Sequence, residues 1–136
     1  MDWKECKDKR FIKEVMKDVY LIDSLIKSSK KKLESSKRLK LDGITASAKI
    51  SLIYESVREL LEAFAIKKGF KIYNHECFCA FLNEICKDKI SSEEFDRFRK
   101  IRNQVNYYGR EIPIEEAKII IKNLTLFRIK IEKNVK

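Results

Sequence analysis

Apolar residues recur at steps of three and four along most of the chain, the spacing that collects them on one face of a helix with 3.6 residues per turn. Ile12, Val15, Met16, Val19, Ile22, Leu25, Ile26 and Leu33 form the first such stripe and predict one long amphipathic helix. Residues 1–10 before it are mostly polar and predict a frayed end. Leu41 to Thr45 reads as a turn, with Asp42 or Thr45 placed to cap the next helix. Ile50, Ile53, Val57, Leu60, Leu61 and Phe64 mark a second helix over 46–68, stopped by Gly69. Asn74 is a good N-cap for a shorter third helix over 76–87. Ser91 with Glu94 matches a capping box and opens a fourth helix that stops near Gly109. Pro113 suits the first turn of a fifth helix, whose stripe is Ala117, Ile120, Ile121, Leu124, Phe127, Ile131 and Val135. No stretch alternates strongly enough to predict a strand, and there is no repeat or linker. The prediction is a single all-α domain over 1–136, an antiparallel bundle of four main helices with one short additional helix.

The fourth helix carries the least ordinary pattern. Phe95, Phe98, Ile101, Val105 and Tyr108 share an apolar arc, and Arg102 falls inside it. Asn106 lies one turn further on, and Arg99 flanks both. A guanidinium on the buried side of a helix is costly unless it is paired or opens onto a cleft or interface. Tyr107 points the opposite way in a regular helix. Unwinding at Gly109 would bring Tyr107 or Tyr108 back toward Arg102. Glu55, Arg58 and Glu62 share one edge of the second helix. They can pair with each other as helical neighbours, and they can also seat Arg102 from across the interface.

Composition sharpens some of this. Three glycines and one proline in 136 residues are too few for a turn-rich all-β chain. Lys and Arg number 31 against 21 acidic residues, a net charge of +10. Two readings of that excess stand: an anionic partner, of which nucleic acid is the usual one, or a solvated lysine-rich surface. Lys30-Lys31-Lys32 and Lys37-Arg38-Leu39-Lys40 make the far end of the first helix basic, either complementing the helix dipole or meeting phosphate. A charged fraction of 38% points weakly to a hot-growing source.

The four cysteines, Cys6, Cys77, Cys79 and Cys86, do not form a secreted disulfide framework and read as small core hydrophobes. His75, Cys79 and Cys86 share a stripe from which Cys77 points away. Cys-x-x-Cys spacing is absent, so no metal site is expected. Asp2, Lys4, Glu5 and Lys7 break any apolar run at the start, so no signal peptide is expected. No stretch is long enough to span a bilayer. A cytoplasmic protein with no membrane partner is the expectation.

Arg102-Asn103, followed three residues later by Tyr107 in the run Asn106-Tyr107-Tyr108-Gly109, resembles the motif of HEPN domains, which is Arg-Asn, three residues, then His at the end of a bundle helix. The run from Leu60 to Gly69 resembles the end of the family's second helix, and His75 stands where these proteins often carry a His. The resemblance implies a homodimer with both arginines lining one cleft near the dyad. It implies either a metal- and cofactor-independent endoribonuclease, often a toxin paired with a nucleotidyltransferase antitoxin, or a module that has lost catalysis and binds RNA, a nucleotide or a protein partner. Arg102 would hold a phosphate, and Asn103 would orient Arg102 or contact the phosphate. Tyr107 would take the acid–base position, where a phenol ionising near about 10 is a poor base at neutral pH. His75 would be the only imidazole available. Asn106, Tyr108 and Arg99 would line the cleft. The substitution of Tyr for His favours binding over cleavage. A third reading is structural, with Arg102 and Asn106 satisfying a buried polar network.

Overall fold

Fifteen of the 22 residues of helix α3 (Ala46–Lys67) are buried, and the rest of the chain is arranged around it. The computed structural model describes residues 1–136. It is mostly helical, 74% of the residues, with six α-helices and only two short strands. Helix α1 (Trp3–Asp8) leads into strand β1 (Ile12–Glu14) and then α2 (Val19–Arg38). After α3 come β2 (Phe70–Ile72), α4 (His75–Ala80), a π-helical turn (Phe81–Ile85), α5 (Lys89–Tyr108) and α6 (Ile114–Val135). Helices α2, α5 and α6 all pack on α3.

Local chemistry explains the boundaries. Asp42 accepts from the N–H groups of Ile44 and Thr45 at 2.8 and 2.9 Å, and the Thr45 hydroxyl accepts from the Asp42 N–H at 3.0 Å. That reciprocal turn launches α3. Lys49 then reaches back, its ammonium donating to the carbonyls of Ser36 and Leu39 at 2.5 and 2.6 Å. It thereby caps the end of α2, where the Ser36 carbonyl otherwise has only the Leu39 N–H at 3.3 Å. Gly69, at φ +96°, stops α3 in a conformation that side chains resist.

Charged and polar groups also cross the core. Arg128 is 3% exposed. It donates to the hydroxyls of Ser56 and Ser29 at 2.7 and 3.1 Å and to Glu132 at 2.6 Å. Ser29 and Ser56 exchange hydrogen bonds with each other's carbonyls at 2.6 and 2.7 Å. One buried guanidinium thus ties α2, α3 and α6 together with its partners in place, as burial requires.

The structure corrects four expectations. The first stripe is not one helix. Residues Ile12–Glu14 pair antiparallel with Phe70–Ile72, Ile12 opposite Ile72, and α2 begins only after Asp18 accepts from the Leu21 N–H at 3.0 Å. Ile12 and Val15 suit a strand as well as a helix, and the partner strand lies far off in sequence. The N-terminal segment is not frayed: Asp2 caps α1, Trp3 packs edge-on against Phe70 at 5.0 Å between ring centres, and the Trp3 N–H donates to Glu84 at 2.6 Å. Cys6 and Cys77 are joined by a disulfide across 71 positions, which no local spacing reveals, and only Cys79 and Cys86 remain thiols. Asp88, not Ser91, caps α5, accepting from the Ser91 N–H at 3.0 Å and its hydroxyl at 2.7 Å. No helix is long and apolar enough to cross a membrane.

Closing a loop of this size, 71 positions, stabilises a fold by roughly 4 kcal/mol in the chain-entropy account. The Cys6→Ser, Cys77→Ser double variant should therefore unfold at lower urea by about that free energy, and Trp3, the only tryptophan, should report the loss of α1 packing by fluorescence. An unchanged midpoint would show that the disulfide does not hold this segment.

Candidate functional site

Helix α5 approaches α3 and α6 through aromatic rings. Phe95 stacks on Tyr54 at 5.6 Å between centres and 15° between planes, and Phe98 packs on Phe127. One turn beyond Phe98, the same face delivers Arg102 instead of another apolar residue. Its guanidinium carbon lies 5.5 Å from the centre of the Tyr54 ring and 5.4 Å from that of Tyr107. Both distances are in the range of cation–π attraction.

The polar partners of Arg102 are incomplete. Nη1 donates to the Tyr107 hydroxyl at 3.1 Å and more weakly to the Asn103 side chain at 3.5 Å. Nη2 lies 3.6 Å from Glu55 Oε1. Nε is buried without a hydrogen-bond partner. Glu55 is shared: its other oxygen accepts from Arg58 Nε at 2.8 Å, while Arg58 also holds Glu62 at 2.8 Å. The trio on α3 thus pairs internally and touches Arg102 as well. Arg99, one turn back on α5, is engaged by Asp96 at 2.7 Å.

Helix α4 supplies the opposite wall. Asn74 accepts from the Glu76 N–H at 2.9 Å and so fixes His75 as the first helical residue. His75 Nδ1 and the hydroxyl of fully buried Tyr54 share a hydrogen bond of 3.0 Å, which leaves Nε2 as the nitrogen available for exchange. Burial raises the Tyr54 pKa well above the ordinary phenol range, with Arg102 pulling the other way, so Tyr54 stays a neutral hydroxyl. Burial lowers the His75 pKa, and the positive charges of Arg102 and Arg58 lower it further. Asn74, His75 and Glu76 on one side, with Arg99, Arg102, Asn103 and Tyr107 on the other, enclose a cleft of about 300 Å³.

Five expected residues therefore meet: His75, Arg99, Arg102, Asn103 and Tyr107. Two do not. Asn106 turns toward α3 and accepts from Ser51 at 3.2 Å, and Tyr108 is 83% exposed and does not line the cleft. The reason is that α5 stays helical through Tyr108 and Gly109 ends it at φ +63°, so no unwinding redirects the last turn. Tyr107 returns to Arg102 by side-chain reach alone. Tyr54 is the participant that sequence reasoning missed. It stands four residues after Ile50 on the apolar stripe of α3, and a buried phenol there needs a polar partner, which was the available signal.

Both free thiols are held in their protonated form. Burial pushes Cys79 up to about 12, helped by Asp96, and pushes Cys86 up to about 11. No group of three His, Cys, Asp or Glu side chains is placed to hold a metal ion. What the cleft offers is a fixed guanidinium with unused donor capacity beside a neutral imidazole. No protein-family model matches the sequence, and no curated protein matches it either.

His75 binds its proton less readily folded than unfolded, so it contributes stability above the ordinary pKa of about 6.5, and that contribution is lost as pH falls through the lowered value. An NMR titration of the single imidazole should place its midpoint below about 6.5, and Arg102→Ala should move it upward. A midpoint unmoved by Arg102→Ala would show that the two groups do not share a cleft.

Proposed function

We propose that this chain is a HEPN-like module that binds RNA or a nucleotide through Arg102, of the toxin–antitoxin type and acting with a nucleotidyltransferase partner. In this reading α2, α3, α5 and α6 are the main helices of an antiparallel four-helix bundle, and α4 with its π-helical turn is the additional element. Two copies meet with Arg102 near the dyad, and the protein works in the cytoplasm. A buried disulfide is at home in the cytoplasm of hyperthermophiles, and a charged fraction of 38% fits such a source.

The partnering of Arg102 carries the reading. Its guanidinium is held by two rings, with Nε unpartnered and its single carboxylate contact at 3.6 Å shared with Arg58. A cation seated that firmly and neutralised that loosely suits a phosphate, which guanidinium meets with paired donors. Tyr107 stands at the family's His position with its hydroxyl already engaged by Arg102, so binding without cleavage is the first reading.

One observation favours a second. His75, though 27 positions before Arg102 in the chain, lines the same cleft. A neutral imidazole there is a competent base for a ribose hydroxyl, and Arg102 would stabilise the charge developing on phosphate. That is a metal-independent endoribonuclease.

The deciding experiment incubates a mixed single-stranded and structured RNA pool in chelator with wild type, Arg102→Ala, His75→Ala and Tyr107→Phe, each checked for folding by thermal melting. A binding module leaves the RNA intact, and Arg102→Ala weakens its RNA affinity about tenfold or more at nearly unchanged stability. Cleavage that requires both Arg102 and His75 selects the ribonuclease. Loss of stability in Arg102→Ala with RNA affinity untouched would reduce the cluster to a structural or dimerisation network.

A further inference from the structure

Helix α2 presents a line of cations that nothing else in the molecule answers. Lys27, Lys31 and Arg38 stand at i, i+4 and i+11, within about 40° of one another around the axis. They lie opposite Ile22, Ser29 and Ser36, the residues α2 buries. Lys37 and Lys40 extend the exposed positive charge at the C-terminal end. Between Leu21 and Lys40 only Asp23 and Glu34 are acidic, against seven basic residues.

Several helical cations elsewhere on this fold pair with carboxylates three or four residues away, Arg58 with Glu55 and Glu62, Arg99 with Asp96, Lys118 with Glu115, Arg128 with Glu132, although Arg97 pairs with neither Glu93 nor Glu94. On α2 the same spacing is on offer, since Glu34 is three residues from Lys31 and four from Arg38, yet neither pairs with it. Lys27, Lys37 and Lys40 form no ion pair either, because every ion pair of α2 belongs to Lys32, which turns inward to Glu59. Clustered like charges on one helical face cost stability. The helix dipole favours cations only in the last turn, which accommodates Lys37 and Arg38 but leaves Lys27 and Lys31 without a reason. Lys31, Ser35 and Arg38, with Glu34, rim a shallow hollow of about 250 Å³, open enough for a phosphodiester.

The fold also sets the basic end of α2 at the same height along α3 as the end of α5 that carries Arg102. Lys49 of α3 holds the C-terminal end of α2, and Ser51, two residues on, holds Asn106 near the C-terminal end of α5. The basic end of α2 and the end of the helix carrying Arg102 therefore flank the same turns of α3. Glu55, which touches Arg102, stands about 9 Å along the α3 axis from Lys49.

We propose that the outward line of α2, Lys27, Lys31 and Arg38 with Lys37 and Lys40, tracks the phosphate backbone of RNA, so that the ligand of this protein is a polynucleotide and not a mononucleotide. The proposal rests on the reading of Arg102 as a phosphate site and extends it: the cleft holds one phosphate, and α2 holds the strand. Exposed cations that match successive phosphates give sequence-independent affinity with a steep salt dependence.

The test compares the full-length wild type with a Lys27→Gln, Lys31→Gln, Arg38→Gln triple variant. A Lys118→Gln, Lys122→Gln, Lys133→Gln triple on α6 removes the same net charge as a control. Arg102→Ala completes the set. Each is titrated with a labelled single-stranded RNA of about 20 nucleotides, with uridine monophosphate, and with vesicles of phosphatidylcholine and phosphatidylserine, over a range of salt. The α2 triple should lose tenfold or more in RNA affinity, and its salt slope should fall by about two, at about 0.7 per phosphate contact. Its mononucleotide binding should stay at the wild-type level. The α6 triple should change RNA affinity less than threefold. An α2 triple indistinguishable from the α6 triple overturns the proposal while leaving the cleft reading in place, provided Arg102→Ala still weakens both ligands. RNA affinity lost in the α2 triple but untouched by Arg102→Ala sinks the cleft reading instead. Binding of the α2 line to anionic vesicles and not to RNA would also overturn the proposal, making this a membrane-facing helix.

Discussion

A helix buried on nearly every side must have its polar side chains answered by other elements, and α3 imposes that constraint on this fold. Ser56 is met by Ser29 and Arg128, which fixes α2 and α6 against it. Glu59 is met by Lys32, Glu62 by Arg58 and Lys71, and Lys49 by the carbonyl end of α2. Each unanswered group would cost on the order of one to three kcal/mol, so the polar minority of α3 sets the register of its neighbours more tightly than apolar contact alone. Tyr54 belongs to the same set. Its hydroxyl draws in His75 from α4, and its ring seats Arg102 from α5.

The cleft arises from that last requirement. Burial of one phenol brings together an imidazole and a guanidinium that lie on different helices. There the burial of His75 and the charge of Arg102 lower the imidazole pKa, and the guanidinium Nε stays without a partner. The disulfide between Cys6 and Cys77 reinforces the wall, since Cys77 is two residues from His75 and α1 packs behind α4. The shape of the cleft and the stability of the fold thus draw on the same contacts.

What was legible in the sequence was chiefly what local spacing determines. The apolar stripes of α3, α5 and α6 predict their extents closely, because those stripes keep helical spacing throughout and are bounded by Gly69, Gly109 and Pro113. Arg102 stands out because it breaks an apolar arc, and the edge of α3 that carries Glu55 is within its reach for the same geometric reason. The differences share a cause. The β1–β2 pair, the Cys6–Cys77 bond and the Tyr54–His75 hydrogen bond each join residues far apart in the chain. Periodicity carries no information about such pairings. Asn106 and Tyr108 stay out of the cleft because Gly109 ends the last turn of α5 without loosening it.

The most direct measurement is an NMR titration of the arginine side-chain Nε–H signals with a short uridine dinucleotide. A phosphate seated in the cleft should shift the Arg102 Nε–H, the one guanidinium donor buried without a partner, together with the His75 ring signals, and leave Arg128 unchanged. An Arg102 signal that stays fixed at saturating dinucleotide would contradict phosphate binding at this site.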